Sequence, residues 1–123
     1  MARILIVDDE ESIRDIFSAF LTKLGHEVAE AESGPLALVQ LELFRPQMVL
    51  LDVRMPGMDG IEVLKKIKEL HPEMLVIMVT ADMDDVTGKA AVESGATDYL
   101  TKPISLEQLN THLTVHLFLE SDE

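Results

Sequence analysis

Cysteine is absent from the 123-residue sequence, which excludes disulfides, thiolate nucleophiles and cysteine-bound zinc or iron–sulfur centres. Bases are scarce. Ten Lys and Arg stand against 23 Asp and Glu, leaving a formal net charge of −13. A chain this acidic will not hold nucleic acid by neutralising phosphates and is ill suited to an anionic membrane surface. Apolar runs stop at about six residues, far short of the ~20 that span a bilayer. No Ser/Gly-rich or Pro-rich linker interrupts the chain, and no signal-type segment precedes the apolar pattern that starts after Met1-Ala2-Arg3. With 47% apolar residues, enough for one buried core, a single cytoplasmic domain is the expectation. It covers residues 1–119, and residues 120–123 form a short acidic tail.

Strand-like and helix-like patterns alternate about five times, the signature of an α/β fold with a parallel sheet. Ile4-Leu5-Ile6-Val7, Met48-Val49-Leu50-Leu51 and the run from Met74 to Val79 are uninterrupted apolar segments. Such runs suit strands covered on both faces, so the first, third and fourth strands are predicted to be central. Glu27–Ala31 and Thr97–Thr101 are more polar or shorter and are predicted at the edges. Between them, Ile13, Ile16, Phe17, Phe20, Leu21 and Leu24 mark one helix face, ended by Gly25. Ser33 and Asp59 can cap the second and third helices. Ile61, Leu64 and Ile67 face inward on the third, and Lys65, Lys66 and Lys68 face water. Leu106, Leu109, Leu113 and Leu117 line the fifth. The fourth helix, from about Asp84 to Glu93, has only Val86, Ala90 and Ala91 to bury and is expected to be the least firmly held.

The chemistry sits where these strands end. In a parallel α/β sheet all strands finish on one side, and ligands bind there. Asp8 and Asp9 follow the first strand, Asp52 the third and Thr80 the fourth, and Lys102 lies just past the fifth. If the first and third strands are neighbours, ~4.8 Å apart, three carboxylates converge opposite a hydroxyl and an ammonium. Two unit charges ~4 Å apart repel by ~4 kcal/mol at an effective dielectric of ~20. Either one acid stays protonated or a cation sits among them. Oxygen donors without thiol or imidazole favour a hard ion, Mg²⁺, with Mn²⁺ as an alternative. Asp52 can then act as a nucleophile forming an aspartyl phosphate, with Lys102 and Thr80 donating to the phosphoryl oxygens. By the same logic, removing Asp8 is expected to relieve repulsion in the metal-free chain.

Three further segments complete the pattern: Leu51-Asp52-Val53-Arg54-Met55-Pro56-Gly57-Met58-Asp59-Gly60, Val79-Thr80-Ala81, and Gly95-Ala96-Thr97-Asp98-Tyr99-Leu100-Thr101-Lys102-Pro103. In order and at this spacing, with Asp8-Asp9-Glu10 before them, the sequence resembles the receiver domains of bacterial two-component response regulators, along its whole length. The resemblance implies a flavodoxin-like (βα)5 fold, a doubly wound parallel five-stranded sheet in the order 2-1-3-4-5 with helices on both faces. It implies that Asp52 accepts phosphate from a sensor histidine kinase or phosphotransfer protein. Asp8, Asp9 and Asp52 would hold Mg²⁺ together with the backbone carbonyl of Arg54, and Thr80 and Lys102 would bind the phosphoryl group. Lys102-Pro103 would be a cis peptide. Thr80 and Tyr99 would form the switch, read on the face of helix 4, strand 5 and helix 5 by a downstream effector, an output domain of the same protein or a second copy. A homodimer formed on phosphorylation is one such outcome. The protein is then a regulator rather than an enzyme, whether it stands alone or forms the N-terminal part of a longer regulator.

Other features read more plainly. His112 and His116, at i and i+4, have a metal-binding spacing, but with no third ligand in view they are expected on a solvated helix face. Val115, Phe118 and Leu119 form a second apolar stripe, either a frayed end or a docking surface. Arg54 and Asp82 flank the expected site and should tune the access of water. A haloacid-dehalogenase-type phosphatase would need an acid two residues after Asp52, where Arg54 stands. A flavodoxin-like nucleotide binder would need backbone donors where Asp8-Asp9-Glu10-Glu11 lie. A receiver-shaped platform that no longer takes phosphate would not need the full set of Asp8, Asp9, Asp52, Thr80 and Lys102.

Overall fold

A computed structural model describes residues 2–55, 58–81 and 85–121 of the chain. Five parallel strands, β1 (Arg3–Val7), β2 (Glu27–Ala31), β3 (Met48–Asp52), β4 (Leu75–Thr80) and β5 (Asp98–Thr101), pair in the order β2-β1-β3-β4-β5. The apolar runs are the three middle strands and the polar ones are the edges, because only a strand with helices on both faces must be apolar at every position. Alternate residues feed two separate cores. Leu5, Val7, Val49, Leu51, Val76 and Met78 point to one side, and Ile4, Ile6, Met48, Leu50, Ile77 and Val79 to the other.

Helices α1 (Glu11–Lys23) and α5 (Leu106–Ser121) close the second core with Phe17, Leu21, Leu109 and Leu113. Helices α2 (Gly34–Phe44), α3 (Gly60–Leu70) and α4 (Asp85–Glu93) cover the first, chiefly through Ala37, Leu41, Val63, Leu64, Ile67 and Ala91. Gly25 ends α1 at a φ of 99°, a conformation open to glycine at little steric cost. No glycine ends α2; Arg45 takes the left-handed position there, at a φ of 54°. Asp59 caps α3 by accepting from the Ile61 amide at 2.9 Å. Ser33 Oγ accepts from Leu36 at a longer 3.4 Å.

Four expectations for the helices need correction. Val86 does not help α4 to pack: it is 79% exposed, and fully buried Ala91 is the anchor. Five residues at 100° each put the two about 140° apart around the helix, so both cannot face the sheet. On α1, Ile16 and Leu24 lie beyond the covered stripe and are exposed. Lys68 does not simply face water. Its ammonium donates to the carbonyls of Pro72 and Met74 at 3.1 and 2.5 Å, satisfying backbone acceptors of the turn into β4. Finally, α5 runs through Ser121, so the acidic tail begins inside a helix. Asp82, and Pro56 and Gly57 of the long segment after β3, lie outside the described residues.

Candidate phosphoryl-acceptor site

Parallel pairing of β1 with β3 sets Val7 against Leu51. One residue further along, Asp8 and Asp52 stand side by side at the carboxyl edge, 3% and 5% exposed. β3 also pairs with β4, and β4 with β5, with Thr80 against Thr101. The Lys102 amide donates to the Thr80 carbonyl at 2.7 Å, which anchors the start of the last loop to the end of β4. From there the Lys102 side chain crosses the sheet edge. Its Nζ donates to Asp8 Oδ2 at 2.9 Å and to Asp52 Oδ2 at 3.4 Å, and lies 3.8 Å from Glu10 Oε1. Thr80 is fully buried at the same edge. Asp9 is exposed, and its carboxylate lies within 4.8 Å of those of Asp8 and Glu10. The Lys102-Pro103 peptide is cis. Tyr99, on β5, is 44% exposed, with its ring at the surface.

The remaining bonds orient the acids. Asp8 Oδ1 accepts from the Glu10 amide at 2.9 Å and Asp52 Oδ1 from the Arg54 amide at 3.1 Å. Arg14 Nη1 donates to the Asp8 carbonyl at 2.6 Å, and its Nε pairs with Glu30 at 3.3 Å. Arg54 begins a short antiparallel pair, Arg54–Met55 with Met58–Asp59, that leads into α3. Gly60, the first residue of α3, presses on the backbone just after Asp52. A Cβ there would lie 2.4 Å from the Asp52 carbonyl oxygen and 2.6 Å from Val53 Cα.

Burial dominates the electrostatics. It raises the Asp52 carboxyl above the usual carboxylate range. The Arg54 amide and Lys102 oppose that shift, and the charge on Asp8 adds to it. For Lys102, burial works to lower the ammonium. The hydrogen bond to Asp8 and the charges of Asp52 and Asp8 outweigh it, and the net direction is upward. Lys102 therefore contributes stability below the ordinary lysine value, which is lost as pH rises through its folded pKa. Neutral pH lies well inside that window.

The ammonium changes one expectation. Asp8 is more than a source of repulsion, since it is the nearer of the two aspartates bonded to the half-buried Lys102 ammonium and the acceptor for the Glu10 amide. Asp8→Ala is expected to destabilise the metal-free chain by roughly 1–3 kcal/mol, the scale of hydrogen bonds to charged groups. Urea unfolding measures this. A gain in stability would show that repulsion between Asp8 and Asp52 outweighs both bonds.

The donor set fits a hard divalent ion. Asp8, Asp9 and Asp52 supply oxygen ligands only, at a place where charge is crowded, and backbone carbonyls adjoin them. Sequence patterns did not single out Glu10, Arg14 or Gly60 for any role here. Arg14 and Gly60 act through contacts with the backbone, which carry no spacing signal. The reading of His112 and His116 as a solvated face also needs correction. Both are half-buried and donate toward the same oxygen of Asp98, at 2.6 and 2.9 Å. The third partner lies on β5, 14 residues before His112, where helical periodicity has no reach. Beside the acid cluster, a cleft of about 700 Å³ runs between the segment after β3, α3 and α4, lined by Arg54, Glu62, Lys65 and Thr87 among others.

Residues 4–114 match the family model described as the response regulator receiver domain. The transcriptional regulatory protein AfsQ1 of Streptomyces coelicolor is 37% identical over 113 residues, covering 92% of this chain and 50% of that protein. The DNA-binding transcriptional regulator NtrC of Klebsiella pneumoniae is 43% identical over 103 residues, covering 84% of this chain and 22% of that protein. The chain thus spans half or less of the length of these relatives. Among solved structures, a CheY-like receiver domain protein from Methanospirillum hungatei superposes with a TM-score of 0.95 at 31% identity, covering 98% of this chain and 97% of its own. The chemotaxis protein CheY4 of Vibrio cholerae does so with a TM-score of 0.88 at 33% identity, covering 93% and 97%. With its sheet order, its acid-lined carboxyl edge and these relatives, the chain belongs to the response regulator receiver domain family.

Proposed function

We propose that this domain is a phosphorylation-controlled switch in two-component signalling, with Asp52 as the phosphoryl acceptor. The observation that carries the reading is Lys102 Nζ within 3.4 Å of both Asp8 and Asp52 on one sheet edge. A histidine kinase or phosphotransfer protein is the donor. A carboxylate oxygen of Asp52 forms the new bond to phosphorus as the bond from phosphorus to the donor breaks, and the donor leaves with that electron pair. Asp8 and Asp9, with Asp52 and the Arg54 carbonyl, would hold Mg²⁺ or Mn²⁺, which supplies neutralising charge when bound. Lys102 turns part of its donor capacity from Asp8 to the phosphoryl oxygens, and Thr80 adds a hydroxyl.

The phosphoryl group brings nearly two negative charges to the ends of β3 and β4. Drawing Thr80 and Lys102 toward them alters the space beside Tyr99 and the packing of α4, which a single buried alanine anchors. Val92 on α4, Tyr99 on β5, and Val115, Phe118 and Leu119 on α5 are exposed. They support a read-out through α4, β5 and α5 by an effector, an output domain or a second copy of the chain. The net charge of −13 argues that the domain itself does not contact nucleic acid. No helix among the described residues is long and apolar enough to cross a membrane.

Two measurements test the proposal. Acetyl phosphate should add one phosphate to the chain by intact mass in the presence of Mg²⁺, and none after chelation. Absence of labelling with Mg²⁺ present defeats the acceptor reading. Mg²⁺ alone should raise the melting temperature, because the folded acid cluster binds it and the unfolded chain does not. At ten times its Kd the gain is about 1.4 kcal/mol, a shift of a few degrees. An unchanged melting temperature up to high Mg²⁺ would remove the metal site.

A further inference from the structure

A second group of ligating side chains lies away from the acid cluster, on the outer edge of the sheet. Asp98 is the first residue of β5, and His112 and His116 are one turn apart on α5. His112 Nδ1 is 2.6 Å and His116 Nε2 2.9 Å from the same Asp98 oxygen. Asp98 Oδ1 accepts from the Tyr99 amide at 2.8 Å, so the carboxylate is already oriented. The rings are also placed by packing, since Leu109 and Leu113 on the same helix are buried against the sheet. Burial works to raise the Asp98 carboxyl. The bonds from the two histidines and the Tyr99 amide outweigh it, and the net direction is downward.

We propose that Asp98, His112 and His116 form a binding site for a borderline divalent transition-metal ion, with Zn²⁺ as the type case. Two imidazole nitrogens and one carboxylate oxygen suit such an ion and not the hard Mg²⁺. The three ligand atoms lie within 4.8 Å of one another. Tetrahedral Zn²⁺, with bonds of about 2.0–2.1 Å, sets its ligands about 3.3 Å apart. The two nitrogen–oxygen separations need to open by less than an ångström, which side-chain rotation provides. The inward nitrogens that bond Asp98 become metal ligands once each imidazole takes its other tautomer, with the proton on the outward nitrogen and the inward lone pair free. The side chains keep 21% to 35% of their surface exposed, which leaves the fourth position open to water. Bound metal ties β5 to α5 beside Tyr99. The site stands independently of whether Asp52 is phosphorylated.

The test uses the full chain without an affinity tag, in excess Mg²⁺ to occupy the acid cluster, with Zn²⁺ competed against a chromophoric chelator. The expected result is one Zn²⁺ per chain. His112→Ala and His116→Ala should each weaken binding at least about tenfold, a loss that changes outside the ligand shell alone produce. His71→Ala should leave it unchanged. Failure to bind Zn²⁺ in excess Mg²⁺, undiminished affinity in both helix variants, or loss of binding in His71→Ala overturns the proposal. If either helix variant fails to fold, histidine ring NMR signals of the unmodified chain decide. Zn²⁺ should shift those of His112 and His116 and leave those of His26 and His71 in place. The opposite pattern overturns the site.

Discussion

Incubated with acetyl phosphate and Mg²⁺, Asp52→Asn should take up no phosphate, and in the absence of metal it should melt at a higher temperature than the wild-type chain. The first effect is chemical: the amide has no carboxylate oxygen to attack phosphorus. The second follows from burial, which raises the Asp52 pKa in the folded state. A carboxyl whose folded pKa exceeds its unfolded value costs stability wherever it must ionise. The cost is full above the folded pKa and vanishes below the unfolded value near 3.9. At neutral pH the cost is present, and the uncharged Asn escapes it while keeping an oxygen for the Arg54 amide. Lys102 loses one acceptor but retains Asp8 at 2.9 Å. The difference between variant and wild type should therefore shrink as pH falls from 7 toward about 4. Phosphate retained in the variant would remove Asp52 from its role. A lower melting temperature at neutral pH would mean that pairing with Lys102 outweighs desolvation.

Gly60→Ala is expected to destabilise the fold by roughly 2–4 kcal/mol, lowering the melting temperature by about 10 °C. Its added carbon would meet three backbone atoms, the Asp52 carbonyl oxygen, Val53 Cα and the Val53 carbonyl oxygen, at 2.4 to 2.7 Å. Backbone at the end of β3 and just past it cannot swing aside as the far end of a flexible side chain can. Relief requires α3 to move away from the end of β3, where the Gly60 amide donates to the Val53 carbonyl at 2.7 Å. Since that peptide follows Asp52 directly, labelling by acetyl phosphate should slow as well. Thermal melting and the rate of mass gain measure the two effects together. A loss within about 0.5 kcal/mol, the usual range for surface substitutions, would show that the helix accommodates the methyl group freely.

Much of the architecture was legible because a parallel sheet covered on both faces writes its demands directly into composition. The unbroken apolar runs Ile4–Val7 and Met48–Leu51 suited interior strands, and the more polar Glu27–Ala31 suited an edge. Helix faces were less legible where the apolar residues were small or scattered. Val86 carried the right chemistry for α4, but helix rotation set by Ala91 left it outside. At the end of α2, Arg45 sits in the left-handed conformation without any glycine to announce it. Asp8, Asp9, Asp52, Thr80 and Lys102 stood out because each comes at or just past the end of a strand, and the distances among Lys102, Asp8 and Asp52 depend on strand adjacency. The Asp98–His112–His116 group was half visible, as two histidines at helical spacing.

By itself, the order of residues along this chain determined the class of fold, which strands lie inside, and which polar side chains come at strand ends, since each of these depends on local periodicity. Tertiary structure alone decided that Lys102 reaches across to Asp8 and Asp52, that Gly60 must lack a side chain, and that Asp98 meets two imidazoles. Each of those joins residues far apart in the chain through the packing of separate elements, a distance over which patterns of three or four residues carry no information.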